Sequence, residues 1–289
     1  MFRTVSILLV CLVLIVSPLA GSTAAEEVVY FGVIPRYNPI IMYQNYQPMM
    51  DYLTENTDYR FELKLSRDYQ QAVEFLRNGT TPFVSLGVVT FFEAQQALRA
   101  VPILKPINRE GTPFYRSTII VPDESPIKDL NDLKGKAFAF GDPHSTSGHL
   151  IPRHYLGEQG VAKSDLGSFV YLETHDAVAK AVLKGIVDAG AVKDVIARRY
   201  QKHGLRFLGQ SHPIPAVPIV TRQDTPQKLA HAVTSALLKI DPADPDMQAL
   251  LQAWDPEFSH GFVPAEPDDY QVIFDLMENY ADGCGLRCH

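Results

Sequence analysis

Residues 142–152, DPHSTSGHLIP, concentrate the groups in this chain best suited to chemistry. Ser145, Thr146 and Ser147 form an unbroken run of hydroxyls, followed by Gly148, between the strand-like KAFAF and the helix-like HLIPRHYLGEQG. A helix that starts there turns its first amide N–H groups outward without helical acceptors. The positive end of the helix dipole adds to them, and the hydroxyls supply further donors. Gly148 has no side chain to obstruct close approach. Such a constellation seats a tetrahedral oxyanion. Capping alone needs one hydroxyl, so a run of them after an Asp-Pro turn exceeds what capping requires. His144 and His149 flank the turn, where an anion would help either take up a proton; both are read as supporting or solvent-facing groups.

The elements that must hold this turn alternate between the two periods. VVYFGVIP (28–35) reads as a buried strand, and PIIMYQNYQPMMDYLTENT as a helix ending near Asn56. YRFELKLS alternates like a strand. DYQQAVEFLRNG reads as a helix with Asp68 at its start and Gly79 at its stop. PFVSLG, VPILKPINR and FYRSTIIVP read as strands, with the helix TFFEAQQAL after the first of them. The second half repeats the pattern: SFVYLET, IVDAGAV, LRFLGQ and AVPIVTR as strands, HDAVAKAVLKG and DVIARRYQKHG as helices. TPQKLAHAVTSALLKI is a helix expected to have Thr225 as its cap and Pro226 at its first position, and PDDYQVIFDLMENY also reads as helical. Strands alternating with helices predict an α/β fold with mostly parallel sheets covered on both faces. In such folds ligands sit beyond the carboxyl ends of strands, which is where the hydroxyl turn lies. Ser85, at the end of FVSLG, is a further candidate to face that space.

The N-terminus predicts export. Arg3, the apolar run from Val5 to Val16, and Ser17-Pro18 before GSTAA have the layout of a cleaved signal peptide, with cleavage expected after Ala25. The apolar run is short for a membrane span. The chain carries a formal charge of −7, and loss of Arg3 makes the mature product −8 (−7 minus 1). An acidic exported protein is a poor partner for nucleic acid, so anion binding must come from local geometry. Cys284 and Cys288 remain after export as a pair, for which a disulfide is the default in an oxidising compartment. CxxxCH is a loosened form of a haem-attachment sequence, one residue longer than usual, and is not expected to carry a haem.

SPIKDLNDLKGKAFAFGDPHSTSGHLIP, with the opening FGVIP, the FYRSTIIV strand, the helix led by His175 and QSHPIPAVPIV, resembles the substrate-binding proteins of ABC importers for phosphonate, phosphite and phosphate. The resemblance extends over nearly the whole mature chain. It implies a two-lobed periplasmic-binding-protein fold (type 2-like), each lobe a mostly parallel sheet flanked by helices. Lobe one would comprise 26–120 plus 221–289, and lobe two 121–220. It implies that Ser145, Thr146 and Ser147 seat a phosphorus oxyanion, that His175 donates to the same oxygens, and that Tyr69 and Tyr115 reach over from lobe one. Neutral donors of this kind would stabilise the charge without a full ion pair.

The resemblance also bears on the substituent. Family members that take an aminoalkyl phosphonate set carboxylates against its ammonium; the matching positions hold Val195, beside Asp194, and Val217. A valine cannot pair an ammonium, and an unpaired cation in a closed cleft is expensive. A small ligand without an amine is therefore expected: phosphate, phosphite or methylphosphonate. A one-residue slip would return Asp194 to that role. The partner implied is a permease in the inner membrane; the protein would act in the periplasm as a monomer, without cofactor or metal. Two alternatives share the same trap: a carrier of sulfate or a sulfonate, and a sensor presenting the anion to a membrane receptor. An enzyme is not expected, since GDPHSTSG is not a nucleophile elbow and neither a P-loop nor HExxH occurs.

Overall fold

The computed structural model describes residues 28–282. In chain order it begins with β1 (Val28–Val33), α1 (Pro39–Glu55), β2 (Arg60–Leu65), α2 (Tyr69–Arg77), β3 (Phe83–Ser85), α3 (Val88–Leu98) and β4 (Ala100–Pro106). It continues with β5 (Phe114–Tyr115), β6 (Ser117–Pro122), β7 (Ala137–Phe140), α4 (Ile151–Glu158), β8 (Ser168–Tyr171), α5 (His175–Leu183), β9 (Ala189–Lys193), α6 (Asp194–Gln201) and β10 (Leu205–Gln210). It ends with β11 (Ile214–Pro215), β12 (Ile219–Arg222), α7 (Gln227–Leu237), α8 (Pro245–Gln252), β13 (Phe262–Pro264) and α9 (Gln271–Asp282). The expected export signal and the Cys284–Cys288 pair lie outside the described residues.

These strands build two lobes. One carries a six-stranded sheet ordered β13-β4-β12-β3-β1-β2, the other a five-stranded sheet ordered β10-β6-β9-β7-β8. The chain passes between them through the antiparallel ribbon β5–β11, in which Tyr115 pairs with Ile214. β6 pairs only within the five-stranded sheet and β12 only within the six-stranded one.

The two-lobed α/β architecture is as expected, but the sheets are more mixed than the alternation of strands and helices suggests. The pairings β1–β2, β1–β3, β7–β8 and β7–β9 are parallel. β12 runs against β3 and β4, and β6 against β9 and β10. β6 and β12 are the strands by which the chain enters each lobe from the ribbon, so they arrive without a helical crossover to reverse direction.

Apolar periodicity explains how these elements seat. In α2 the buried residues Tyr69, Ala72, Val73 and Leu76 follow the i, i+3, i+4, i+7 spacing of one helical face. In α5 His175, Val178, Ala179 and Val182 do the same. Each spacing turns the first residue of its helix inward. The five-stranded sheet is covered on both faces: Ile119, Val121, Phe138 and Phe140 enter one apolar cluster, while Ile120 and Ala139 between them enter the other. That double burial gives KAFAF and STIIV their unbroken apolar character.

The cap of α7 differs from expectation. The helix starts at Gln227 with Pro226 as the cap residue and no side-chain cap bond. The Thr225 hydroxyl instead lies 2.7 Å from the Thr221 hydroxyl, whose own proton goes to the Pro82 carbonyl at 2.9 Å.

Candidate functional site

The hydroxyl turn follows β7 and opens as one π-helical turn, Thr146–Leu150, that runs directly into α4. Ser145 is its cap: the side chain accepts the Gly148 amide at 3.0 Å. Thr146 Oγ1 accepts the Val89 amide of α3 at 3.0 Å, which ties the turn to the opposite lobe. The Ser147 carbonyl accepts the Ser117 hydroxyl at 2.7 Å. Among the described residues, the Thr146 and Ser147 amides donate to no protein acceptor. They are the orphan donors of a helix start.

Gly148 is required by close approach. A Cβ there would lie 2.8 Å from Ser145 Oγ, 3.0 Å from the Gly141 Cα and 3.1 Å from His175 Cε1. The last distance brings the start of α5 against the start of the turn, so two helix N-termini converge. Thr174 caps α5 by accepting the Ala177 amide at 3.1 Å, and His175 follows as the first helical residue.

His175 is buried, and its Nδ1 accepts the Lys193 amide at 3.3 Å. Burial, reinforced by Lys193 and Arg36, pushes its pKa down to about 3. The ring is therefore neutral near pH 7. With Nδ1 accepting, the proton sits on Nε2, which is then a donor.

Tyr69 and Tyr115 are both buried. Burial raises the Tyr69 pKa to about 12, against a lowering hydrogen bond with Ser145. Burial also raises Tyr115, against lowering hydrogen bonds with Ser147 and Thr146. Both phenols stay protonated as donors at any physiological pH. The structure thus brings together all six residues expected from the sequence: Ser145, Thr146, Ser147, His175, Tyr69 and Tyr115.

Charges near the seat depart from expectation. Arg36, in the loop after β1, and Lys193, at the end of β9, are buried beside it, so the surroundings are not limited to neutral donors. Arg36 donates to the Tyr46 hydroxyl at 2.9 Å and to Ser85 Oγ at 3.2 Å. Its Nε lies 3.1 Å from Glu257 Oε2, and Lys193 Nζ pairs with Glu257 Oε1. Lys193 Nζ also sits 3.9 Å from the Tyr115 ring centroid. Burial and then Arg36 push the Lys193 pKa well below the usual amine value.

Sequence reasoning missed Arg36, Lys193 and Glu257. Arg36 and Lys193 do carry a signal: each lies at or just past the carboxyl end of an inner strand, where ligands of α/β sheets gather. Glu257, in the loop after α8, carries none.

The flanking histidines separate. His144 Nδ1 meets Glu93 of α3 at 2.8 Å, and its Nε2 meets Gln70 of α2 at 3.0 Å, so it bridges the mouth of the cleft. The Glu93 hydrogen bond raises its pKa. His149 is buried, contacts the Pro143 carbonyl at 2.8 Å, and is pushed down to about 4 by burial. Proton uptake is thus opposed at His149, because its surroundings desolvate the charged ring. Ser85 is buried and turned to Arg36.

Beside the seat is a cavity of about 70 Å³ lined by Tyr115, Lys193, Val195, Ala216, Glu257 and His260, among others. Val195 borders it, whereas Val217 is buried in the core. Asp194 also borders it, but its side chain is engaged by the Val195 amide at 2.8 Å and Arg198 at 3.1 Å. Among the described residues no cluster of three or more His, Cys, Asp or Glu is grouped to hold a metal ion.

Comparison with known proteins agrees with this fold. The chain is 31% identical over 204 residues to the phosphate-import protein PhnD of Mycolicibacterium smegmatis, spanning 64% of each protein's length. It is 23% identical over 283 residues to the phosphonates-binding periplasmic protein of Escherichia coli, covering 93% of this chain and 82% of the relative. The fold matches that of PhnD1 from Prochlorococcus marinus, solved with methylphosphonate, at a TM-score of 0.77 and 20% identity over 88% of this chain and 98% of that one. The profile described as "ABC transporter, phosphonate, periplasmic substrate-binding protein" matches residues 31–270. The chain belongs to that family, the periplasmic substrate-binding proteins of phosphonate ABC transporters.

Proposed function

We propose that this protein captures a small phosphorus oxyanion (phosphate, phosphite or methylphosphonate) between its lobes and delivers it to an inner-membrane permease. The observation that carries this reading is the convergence of two helix starts: the orphan Thr146 and Ser147 amides face the same corner as His175, whose Cε1 lies 3.1 Å from a Cβ position on Gly148. Ser145, Thr146 and Ser147 act with the neutral His175 as donors on one side of the ligand, and Tyr69 and Tyr115 as donors on the other. Contacts from both lobes make the ligand a bridge that favours the closed state. We draw lobe two as β6 through β10 and lobe one as the remainder of the mature chain. That moves both crossings a few residues ahead of 120/121 and 220/221, so that β6 and β12 each stay whole.

The protein works in the periplasm after loss of residues 1–25, as a monomer and without chemistry of its own. No amine is accommodated: Val195 borders the cavity beside the seat, Val217 lies in the core, and Asp194 and Glu257 are already paired with cations. Calorimetry with phosphite, methylphosphonate, phosphate, sulfate and 2-aminoethylphosphonate tests this reading. Binding is expected for one or more of the first three. Tight binding of the amine alone rejects the substituent reading, and tight binding of sulfate alone rejects the phosphorus reading.

A further inference from the structure

Two basic side chains buried beside the seat would ordinarily suit a dianion. The side chains of Arg36 and Lys193 are only 2% and 4% exposed, and the Glu257 side chain that touches both is 5% exposed. Asp255, also buried, accepts Asn45 Nδ2 at 3.1 Å and the Glu257 amide at 3.0 Å, and its field acts on both Arg36 and Lys193. Asp194 is balanced by Arg198.

The charge sum follows. Lys193 and Glu257 together are neutral wherever their shared proton sits. Arg36 and Asp255 cancel, Asp194 and Arg198 cancel, and His175 is neutral. Asp176, in the first turn of α5, cancels with Lys180 at 2.7 Å, and Asp142 before the turn faces His144; what remains is the two helix N-termini, each worth roughly half a positive charge. Together they match about one negative charge on a ligand. A second would be buried without compensation, close to the Glu257 carboxylate, at the steep cost of an unpaired buried ion. Glu257 Oε2 reinforces this: it is buried and accepts no hydrogen bond from the protein, its approach to Arg36 being ionic only.

We propose that Glu257 makes the closed cleft selective for singly charged oxyanions, such as hydrogen phosphite and hydrogen methylphosphonate, by cancelling the second of the two positive charges, Asp255 having offset the first, that would otherwise hold a dianion. This inference rests on the phosphorus-oxyanion reading of the seat and specifies the ionic form bound. It makes Glu257 a specificity residue and ranks sulfate, a permanent dianion, low.

The test is calorimetry on the full mature protein from pH 5.5 to 8.5, in wild type and Glu257→Gln. In wild type the Kd for phosphite is expected to rise about tenfold per pH unit above the second ionisation of the ligand, as the competent fraction falls. The charged and titratable groups around Glu257 are Lys193, Asp255, Asp194, His260, Tyr46 and Tyr115, with His175 behind Lys193 and with Arg36, Arg109 and Arg198 fixed as cations. Phosphite and methylphosphonate differ in acidity, so the break must move with the ligand; a break at one pH for both belongs to the protein and overturns the proposal. Glu257→Gln, which removes the carboxylate shared by Arg36 and Lys193, is expected to flatten that slope and to tighten sulfate relative to phosphite by at least about tenfold. An unchanged sulfate-to-phosphite ratio in a variant that melts cooperatively overturns it as well. If the variant does not fold, the wild-type series decides alone. Absence of binding by every oxyanion at every pH removes the seat itself, which is a different failure from binding without charge preference.

Discussion

The hydroxyl turn and the Arg36–Lys193–Glu257 cluster lie against the same cleft and work by opposite means. The turn is a contiguous segment whose donors are neutral and need no counter-ion. Its Ser145 cap and orphan amides arise from the start of a helix wherever that helix is placed. The cluster joins the loop after β1, the end of β9 and the loop after α8, and each member is tolerable inside the protein only because the others are there. The comparison teaches a division of labour. On the proposed reading, neutral donors supply attraction for any oxyanion, while the balanced charges decide how much charge the cleft accepts.

Removing one member of the cluster should have the largest effect on stability. Arg36→Met leaves Glu257 and Asp255 buried with Lys193 alone, and is expected to cost about 3–5 kcal/mol in chemical denaturation, the usual penalty for breaking a buried pair. A loss below about 1 kcal/mol would show that the cluster is not desolvated as described. Gly148→Ala attacks the turn instead. The new methyl meets Gly141 backbone at 3.0 Å, which cannot swing aside, so about 1–3 kcal/mol of stability should be lost together with most oxyanion binding. Retention of full affinity would mean the corner is looser than its distances imply.

Single donors come next. Ser147→Ala and His175→Ala should each weaken phosphite or methylphosphonate binding at least about tenfold, the scale of one lost hydrogen bond to a charged group. Melting temperatures should move little for Ser147→Ala. Unchanged affinity in both variants would place the ligand elsewhere.

The smallest effect concerns His144 at the cleft mouth. Its pKa is raised in the closed form by Glu93, so its contribution to closure is fully present below the ordinary value of 6.5 and is lost as the pH rises through the raised value. Asp68 and Asp142 also raise it, while burial opposes. His144→Gln should therefore weaken binding about two- to threefold at pH 5.5 and hardly at all at pH 8.5. An equal loss at both ends would mean that the imidazole acts by packing and not by charge.

Legibility followed the range of the interactions. Tyr69 and His175 entered as site residues through the family resemblance, while the residues themselves marked only the amphipathic helices that the two start, after the caps Asp68 and Thr174. The same patterning carried the α/β class, and the resemblance carried the two lobes. The share of parallel pairing was overestimated because strand direction at the ribbon depends on how the chain re-enters each lobe, which no periodicity encodes. Thr225 was assigned as a cap by residue type, yet its hydroxyl is engaged by Thr221, four residues back at the end of β12. His144 and His149 look equivalent in the sequence and differ in protonation because one meets a carboxylate and the other is desolvated.

The sequence by itself determined the hydroxyl turn, its cap and the helices that present it, because caps, orphan amides and apolar faces depend on residues within a few positions of one another. Tertiary structure alone decided the charge of the cleft. Arg36, Lys193 and Glu257 lie far apart along the chain, and a buried charge is set by what packs around it, a property that exists only once the lobes have formed.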